Sequence, residues 1–198
     1  MKLYGMLDSP FVRRVAISLA TKQLPFEHIS LSVFSTFDEF SKINPVVKAP
    51  TLVLDDGTYL IDSTLILNYL DQQHAGNLGF FKLSAQEYQL LGLALVLAEK
   101  AVQYVYESEL RPAEKQVPQW KERVLLQAHQ ACQQLNQHVL LKQLESPALN
   151  QATITVAVAW RFVQEKFPAL FPAAEYAQLH ALTLKLEQTE AFQLYPFS

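Results

Sequence analysis

The chain has 198 residues, of which 50% are hydrophobic and 18% are charged, a composition typical of folded globular proteins rather than disordered chains. Sixteen Lys and Arg against 19 Asp and Glu give a net charge of −3 without any block of like charge, which argues against nucleic acid or an anionic membrane surface as a partner. No apolar run approaches the ~20 residues that span a bilayer, no signal-peptide pattern opens the chain and only one cysteine is present, so we expect a cytoplasmic protein without disulfides or membrane segments.

The distribution of aspartate and glycine divides the chain near residue 83. All aspartates and four of the five glycines precede this point, whereas the acidic residues after it are all glutamate. Asp and Gly favour turns and caps, while Glu favours helices. We therefore expect an α/β domain over residues 1–77 and an all-helical domain over residues 84–198.

The first part predicts the order strand, helix, strand, helix, hairpin, helix. The patterning places strands at Lys2–Met6, Glu27–Leu31, Thr51–Leu54 and Thr58–Ile61, and helices after Pro10, over Phe37–Ile43 and over Thr64–His74. Asp55-Asp56-Gly57 separates the last two strands, which is typical of a β-hairpin. Ser9 is an N-cap candidate ahead of Pro10 at the first helical position.

The second part predicts long helices. Apolar residues recur every three or four positions from Tyr88 to Leu110 and from Trp120 to Val139, as in amphipathic helices. Ala152–Val163 is apolar almost throughout and fits a buried strand as well as a buried helix. Because Asn150 can cap the N–H of Thr153, we favour the helix.

Four motifs, in this order, resemble soluble glutathione S-transferases of the bacterial type, and the resemblance runs over essentially the whole chain. They are Ser9-Pro10-Phe11-Val12-Arg13-Arg14, Asn44-Pro45 with Lys48-Ala49-Pro50-Thr51-Leu52, Asp62-Ser63, and Asn150 to Pro168, with Leu110-Arg111-Pro112 as an element seen in some members. The resemblance implies a thioredoxin-like N-terminal domain (βαβαββα), a C-terminal helical bundle and a homodimer. The chain departs from the family pattern at Ala49, where valine is usual, and at Thr153, where a capping aspartate is common.

Glutathione is the co-substrate that the resemblance implies, and it carries two carboxylates, one ammonium group and a thiol that is mostly protonated at neutral pH. On the resemblance, Asp62 takes the γ-glutamyl ammonium group and Ser63 takes its carboxylate. Lys48 pairs with the glycyl carboxylate, and Ala49, before a cis Pro50, offers its backbone to the cysteinyl residue. The alternatives are a helix cap at Asp62 and Ser63, a solubilising charge at Lys48 and a trans proline.

A hydroxyl at a helix N-terminus suits the thiolate, because it donates a hydrogen bond where the helix dipole is positive. Ser9 has that position, and the resemblance makes it the catalytic residue; the alternative is a plain N-cap. Thiol-transferring members carry cysteine there, and serine cannot form a mixed disulfide. We therefore expect weak or absent glutaredoxin-like activity.

A pocket for a small hydrophobic electrophile is expected at Leu7, Phe11 and the inner face of the first long helix. Phe11 is also counted among the glutathione-binding residues. The polar candidates on the helix are Tyr104, Glu107, Ser108 and Arg111. The alternatives are that aromatic residues at helical spacing form core and that Arg111 caps its helix before Pro112.

Cys132 and the five histidines show no metal or redox pattern. Cys132 lacks a CxxC partner and is expected to be buried, and the histidines show no ligand spacing. We expect no metal cofactor.

The resulting hypothesis is a glutathione S-transferase-like enzyme whose bound thiolate attacks a small hydrophobic electrophile in a detoxification reaction. Dehalogenation, ether cleavage and isomerisation would use the same thiolate and differ only in the pocket. The alternative is a non-catalytic binding or regulatory protein of the same fold, with a protein partner such as the transcription machinery, because a fold does not fix a function.

Overall fold

The structure, a computed structural model, describes residues 1–73, 79–138, 140–141 and 148–198. The chain divides into two units, the first formed by residues 1–82, 149–154 and 188–198 and the second by residues 83–148 and 155–187. Residue 77, the expected end of the first domain, lies outside the described residues.

A four-stranded mixed sheet organises the first unit. Its strands are β1 (Lys2–Tyr4), β2 (Glu27–Ile29), β3 (Thr51–Val53) and β4 (Tyr59–Leu60), in the order β2-β1-β3-β4. β1 runs parallel to β2 and antiparallel to β3, which is antiparallel to β4, and Leu3 is paired with His28 on one side and Leu52 on the other. Leu3 and Leu52 are completely buried, so the two central strands contribute side chains to the hydrophobic core.

Three helices complete the predicted βαβαββα order. They are α1 (Pro10–Thr21), α2 (Phe37–Ile43) and α3 (Ser63–Gln73). The buried faces of α1 and α3 share one core cluster with the sheet: Val12, Val15, Ala16 and Leu19 from α1, and Ile66, Leu67 and Leu70 from α3. The thioredoxin-like order is therefore confirmed, while His74, the expected end of the third helix, lies outside the described residues.

The second unit is helical in its described part. It contains α4 (Ala85–Val105), α5 (Pro118–Gln137), most of α6 (Gln151–Lys166) and α7 (Ala177–Glu187), with 3-10 turns at Ala113–Lys115 and Ala173–Tyr176. A last short helix, α8 (Glu190–Leu194), belongs to the first unit and contacts α1. No helix in the described ranges combines the length and the apolarity that a bilayer crossing requires.

The helix expected from Tyr88 to Leu110 is an α-helix only as far as Val105. Residues Tyr106–Leu110 form a π-helical turn instead. This wider turn lets the buried Glu107 side chain accept a hydrogen bond from the N–H of Val117, at the start of α5. A hydrogen bond between residues ten positions apart leaves no trace in a periodicity of three or four residues.

Helix α6 confirms the buried-helix interpretation of the apolar segment, since every residue from 151 to 160 is buried. Oδ1 of Asn150 accepts the N–H groups of Ala152 and Thr153 at 3.0 and 3.1 Å. Thr153 returns a bond, because its Oγ1 accepts the N–H of Asn150 at 3.2 Å. The threonine thus closes a capping box at the start of α6.

Gly5 ends β1 two residues earlier than the pattern predicts, because it has a φ of 139°. A Cβ at Gly5 would lie 2.5 Å from Cγ2 of Val12 and 3.2 Å from Cβ of Ala49. We predict that Gly5→Ala lowers the free energy of unfolding by about 2–4 kcal/mol, from backbone strain together with overpacking against the buried Val12. Urea denaturation measures this loss.

Gly57→Ala is the matched control. Gly57 also has a positive φ, of 88°, but nothing lies within 4 Å of its added Cβ. It should cost only the backbone strain, about 1–2 kcal/mol. Equal losses in the two variants would contradict a close approach at Gly5.

Candidate functional site

The N-terminus of α1 carries a serine whose hydroxyl is not used in capping. Ser9 is the N-cap residue, with φ −68° and ψ 122°, and its carbonyl accepts the N–H of Arg13 at 2.9 Å. Its side chain is half-buried and makes no capping hydrogen bond. The positive end of a 12-residue helix dipole therefore faces a hydroxyl that the cap does not consume.

Asp62 caps the N-terminus of α3. Its Oδ1 accepts the N–H groups of Thr64 and Leu65 at 2.9 and 3.1 Å, and its carbonyl accepts the N–H of Ile66 at 2.8 Å. The Ser63 N–H is the first-turn donor that these bonds do not use. The cap also leaves the second carboxylate oxygen of Asp62, an exposed residue, for another donor.

Arg14 lies behind this N-terminus and was not among the residues predicted for the site. It is completely buried, and its Nη1 donates to Oγ of Ser63 at 3.2 Å and to Oγ1 of Thr64 at 3.0 Å. Nη2 donates to Oε1 of Gln151 at 2.8 Å. Burial lowers the pKa of Arg14 to about 10, against the opposing charge of Asp62, so the guanidinium stays protonated at neutral pH.

The loop between α2 and β3 is fixed by a buried asparagine. Nδ2 of Asn44 donates to Oγ1 of Thr51 at 3.0 Å. Two peptide bonds are cis, Ala49–Pro50 and Ile61–Asp62, and the first of these is the one that the resemblance implies. Lys48, next to the first, is exposed. The loop therefore offers a defined backbone at residue 49 beside an exposed cation.

Contacts of α1 and of Gly5 reach two of the other groups. Gly5 stands against the first turn of α1 and against Ala49. Arg14 holds Ser63 beside the same helix, five positions after Ser9, which is about 7.5 Å along the helix axis. These contacts connect α1 with Ser63 at the start of α3 and, through Gly5, with Ala49.

The polar residues expected in the electrophile pocket form a hydrogen-bonded cluster in the second unit. Oε1 of the buried Glu107 accepts the N–H of Val117 at 2.7 Å, and its Oε2 lies 3.2 Å from Nε of Arg111. The hydroxyl of Ser108 donates to the carbonyl of Tyr104 at 2.6 Å. These bonds stabilise the π-helical turn, a feature that often accompanies functional sites.

The apolar residues expected in that pocket lie in the first unit. Leu7 is buried and Phe11 is half-buried at the start of α1. The electrophile pocket itself stays a prediction.

A surface cavity lies at the other end of α1. Its volume is about 580 Å³, and its lining includes Thr21, Leu24, Phe26, Leu149 and Tyr195. The residues that line it include none of those predicted for the site. The cavity is therefore separate from the groups around Ser9.

Among the described residues, no group of three His, Cys, Asp or Glu side chains is placed to hold a metal ion. Cys132 is buried, as expected, and burial raises the pKa of its thiol. His129 forms a hydrogen bond through Nδ1 with the hydroxyl of Tyr176 at 3.0 Å and stacks on Phe171. These groups act in packing.

The N-terminal part of the chain is similar to known protein sequences. Residues 3–78 match the family model described as glutathione S-transferase, N-terminal domain. The uncharacterized GST-like protein YibF of Escherichia coli K12 is 37% identical over 71 residues, which cover 36% of this chain and 35% of that protein. Glutathione S-transferase Z1 of Arabidopsis thaliana is 41% identical over 78 residues, which cover 37% and 34%. The chain thus matches about a third of the length of these curated relatives.

Solved structures extend the likeness to the full chain. A glutathione transferase family member from Pseudomonas fluorescens Pf-5, solved with bound glutathione, has 28% sequence identity and a TM-score of 0.84. The alignment covers 98% of this chain and 97% of that one. The N-terminal residues thus match the glutathione S-transferase N-terminal domain model, and the chain from end to end is similar in fold to a glutathione transferase family member.

Proposed function

We propose that the chain is a glutathione transferase whose first unit binds glutathione and whose Ser9 stabilises the thiolate for attack on a small hydrophobic electrophile. The observation that carries this proposal is the Ser9 hydroxyl, half-buried at the N-terminus of α1 and not engaged in capping. The bound glutathione in the Pseudomonas fluorescens structure supports the choice of co-substrate.

The γ-glutamyl end of glutathione binds at the N-terminus of α3. Its carboxylate accepts the N–H and the hydroxyl of Ser63, which are the donors that the Asp62 cap leaves unused. Its ammonium group donates to the second carboxylate oxygen of Asp62. One helix terminus therefore recognises both charges of an amino acid.

The remaining contacts follow from the loop before β3 and from α1. The backbone of Ala49, before the cis Pro50, pairs with the cysteinyl residue. The exposed Lys48 meets the glycyl carboxylate, and Phe11 lies against the ligand at the start of α1. The thiol is then left at Ser9.

The energy required of Ser9 is modest. An ordinary cysteine thiol has a pKa of about 8.5, so only about 3% is thiolate at pH 7. Lowering that pKa to about 7 takes about 2 kcal/mol. A hydrogen bond to a charged group supplies about 1.5–3 kcal/mol, and a helix N-terminus adds about 0.3–1 kcal/mol. Ser9 and α1 together therefore suffice.

In the reaction, the thiolate forms a carbon–sulfur bond with the electrophile, and the leaving group departs with its electron pair. Leu7 and Phe11 remain the apolar candidates for the electrophile pocket, and Tyr104, Glu107, Ser108 and Arg111 remain the polar candidates. Glu107 is already bonded to the N–H of Val117 and to Arg111, so it acts by holding the π-helical turn. The serine at position 9 excludes a mixed disulfide there, and glutaredoxin-like activity stays predicted to be weak or absent.

The protein works as a cytoplasmic homodimer in this proposal, as the family resemblance implies. The first unit carries apolar side chains that a second copy can cover, since Leu65 is 63% exposed and Tyr59 is 41% exposed. Each copy would contribute one glutathione site.

We predict that Ser9→Ala reduces thiolate formation without destabilising the fold. Titrated with glutathione at pH 7, the wild type should develop a saturable ultraviolet thiolate band. In the variant the thiolate fraction should fall about fivefold to tenfold, because one charge-assisted hydrogen bond is lost. The free energy of unfolding should change by less than about 0.5 kcal/mol, because no capping bond is lost.

Ser84→Ala is the matched control for capping. Ser84 is the N-cap of α4, and its side chain accepts the N–H of Glu87 in a complete capping box. This variant should lose about 1 kcal/mol of stability and keep the thiolate band. If Ser9→Ala behaved like Ser84→Ala, Ser9 would be a cap only. If the wild type gave neither a band nor saturable binding, a non-catalytic protein with a protein partner would be the better interpretation.

We predict that Asp62→Asn weakens glutathione binding about threefold to tenfold, because the ammonium group loses a charged acceptor. Asparagine caps a helix as well as aspartate does, so the melting temperature should stay unchanged. Calorimetric titration measures the affinity.

Asp56→Asn is the control for this change, because Asp56 also accepts a backbone N–H, that of Thr58, in the turn between β3 and β4. It should leave the affinity unchanged. An unaltered affinity in Asp62→Asn as well would restrict Asp62 to capping.

A further inference from the structure

The most unusual buried group in the first unit is the Arg14 guanidinium. It is completely buried, and its hydrogen-bond partners are two hydroxyl groups and an amide, from Ser63, Thr64 and Gln151. All three are neutral. Buried charges are normally paired with an opposite charge, because hydrogen bonds to neutral groups recover only part of the lost hydration.

Two observations show that this cation is incompletely compensated. Nε of Arg14 is buried and has no hydrogen-bond partner. Asp62 is the charge that acts on the guanidinium, and Asp62 is exposed, with its Oδ1 occupied by the N–H groups of Thr64 and Leu65. The buried side of the α3 N-terminus therefore has a positive charge that a second anion would balance.

The hydrogen bond from Arg14 also determines whether the Ser63 hydroxyl acts as a donor or an acceptor toward a ligand. A serine hydroxyl has one hydrogen to donate and two lone pairs to accept. Because Oγ of Ser63 accepts from Nη1 of Arg14, its own hydrogen is left for another acceptor. Ser63 is only 3% exposed, so that acceptor must come to the α3 N-terminus itself.

We propose that Arg14 is a positioning residue for the γ-glutamyl carboxylate: it fixes the Ser63 hydroxyl as a donor to that carboxylate and supplies the buried positive charge that balances it. This inference rests on the proposed function. It adds that the carboxylate is bound by a charge that never touches it, acting through a serine.

A closed set of hydrogen bonds keeps the guanidinium in place. Nε2 of Gln151 donates to Oγ of Ser18 at 2.6 Å, and the Ser18 hydroxyl donates to the Arg14 carbonyl at 2.6 Å. Gln151 in turn accepts from Nη2 of Arg14. The charge is therefore set in position before the ligand arrives, which reduces the ordering cost of binding.

The test compares two ligands that differ only in this carboxylate. One is glutathione, and the other is 4-aminobutanoyl-cysteinylglycine, in which a hydrogen replaces the γ-glutamyl carboxylate. The wild type should bind glutathione at least about tenfold more tightly, as expected for opposite charges about 7 Å apart at an effective dielectric constant near 20. Calorimetric titration of the full chain gives both affinities.

The key variant is Gln151→Glu. It places a carboxylate against Nη2 of Arg14 with almost no change of shape, so the buried charge is balanced from within. The amide donor to Ser18 is lost, and the Ser18 hydroxyl can turn from the Arg14 carbonyl to donate to the new carboxylate. The preference for glutathione over the decarboxylated ligand should fall at least threefold, while the melting temperature is maintained. A purely structural role for Arg14 would not produce this pattern, because the ion pair strengthens the structural contact.

Arg14→Met removes the charge and should abolish most of the same preference; if this variant fails to fold, Gln151→Glu alone still decides. Thr21→Ala is the matched control, because its hydroxyl donates to the Ile17 carbonyl on α1 but lies outside the Arg14 set. It should keep the wild-type preference.

The outcomes separate the two proposals. A wild type that binds neither ligand would overturn the proposed function and this inference with it. A wild type that prefers glutathione, together with a Gln151→Glu variant of undiminished preference, would overturn the role of Arg14 and leave the proposed function standing.

Discussion

The first unit depends on the burial of one charged side chain. A guanidinium taken out of water must find acceptors, and leaving it unpaired would cost several kcal/mol. Arg14 finds them on α3, at Ser63 and Thr64, and at the start of α6, at Gln151. One helix therefore aligns two other helix starts, and the α3 N-terminus comes to lie beside the N-terminal half of α1.

The candidate site follows from what this arrangement leaves unsatisfied. Ser9 has a capping position without a capping bond, and the Asp62 cap does not use the Ser63 N–H. Polar groups of a folded protein are normally satisfied, and exceptions concentrate at functional sites. The Asp62 cap stabilises the start of α3 but leaves the Ser63 N–H unused. A helix terminus that is fully capped by its own chain would have no donor left for a ligand.

Local patterns in the sequence were sufficient for most of the fold. The order of strands and helices in the first unit is confirmed, and the Asn150 cap correctly favoured a helix over a strand for the apolar segment that became α6. Patterns failed where a specific side-chain contact changed the local backbone. The helix through Leu110 ends in a π-helical turn where Glu107 reaches the N–H of Val117, and the strand to Met6 was too long because Gly5 must admit Val12.

For the site, the residues taken from the motifs at α1, the cis proline and α3 stay a prediction, and Arg14 was not among them. The sequence did contain a signal, since two arginines interrupt the apolar run from Phe11 to Ala20. Nothing local could assign its partner, because Gln151 lies 137 positions later in the chain. The polar residues of the electrophile pocket had a sound chemical rationale, yet Glu107 and Arg111 are bonded to each other.

The most direct test of the proposed glutathione site is a crystal structure of the protein grown with glutathione at neutral pH. We expect the sulfur within about 3.5 Å of Oγ of Ser9 and the γ-glutamyl carboxylate within hydrogen-bond distance of the Ser63 N–H and hydroxyl. A tripeptide bound with its sulfur away from Ser9, or with its γ-glutamyl end away from α3, would contradict this assignment.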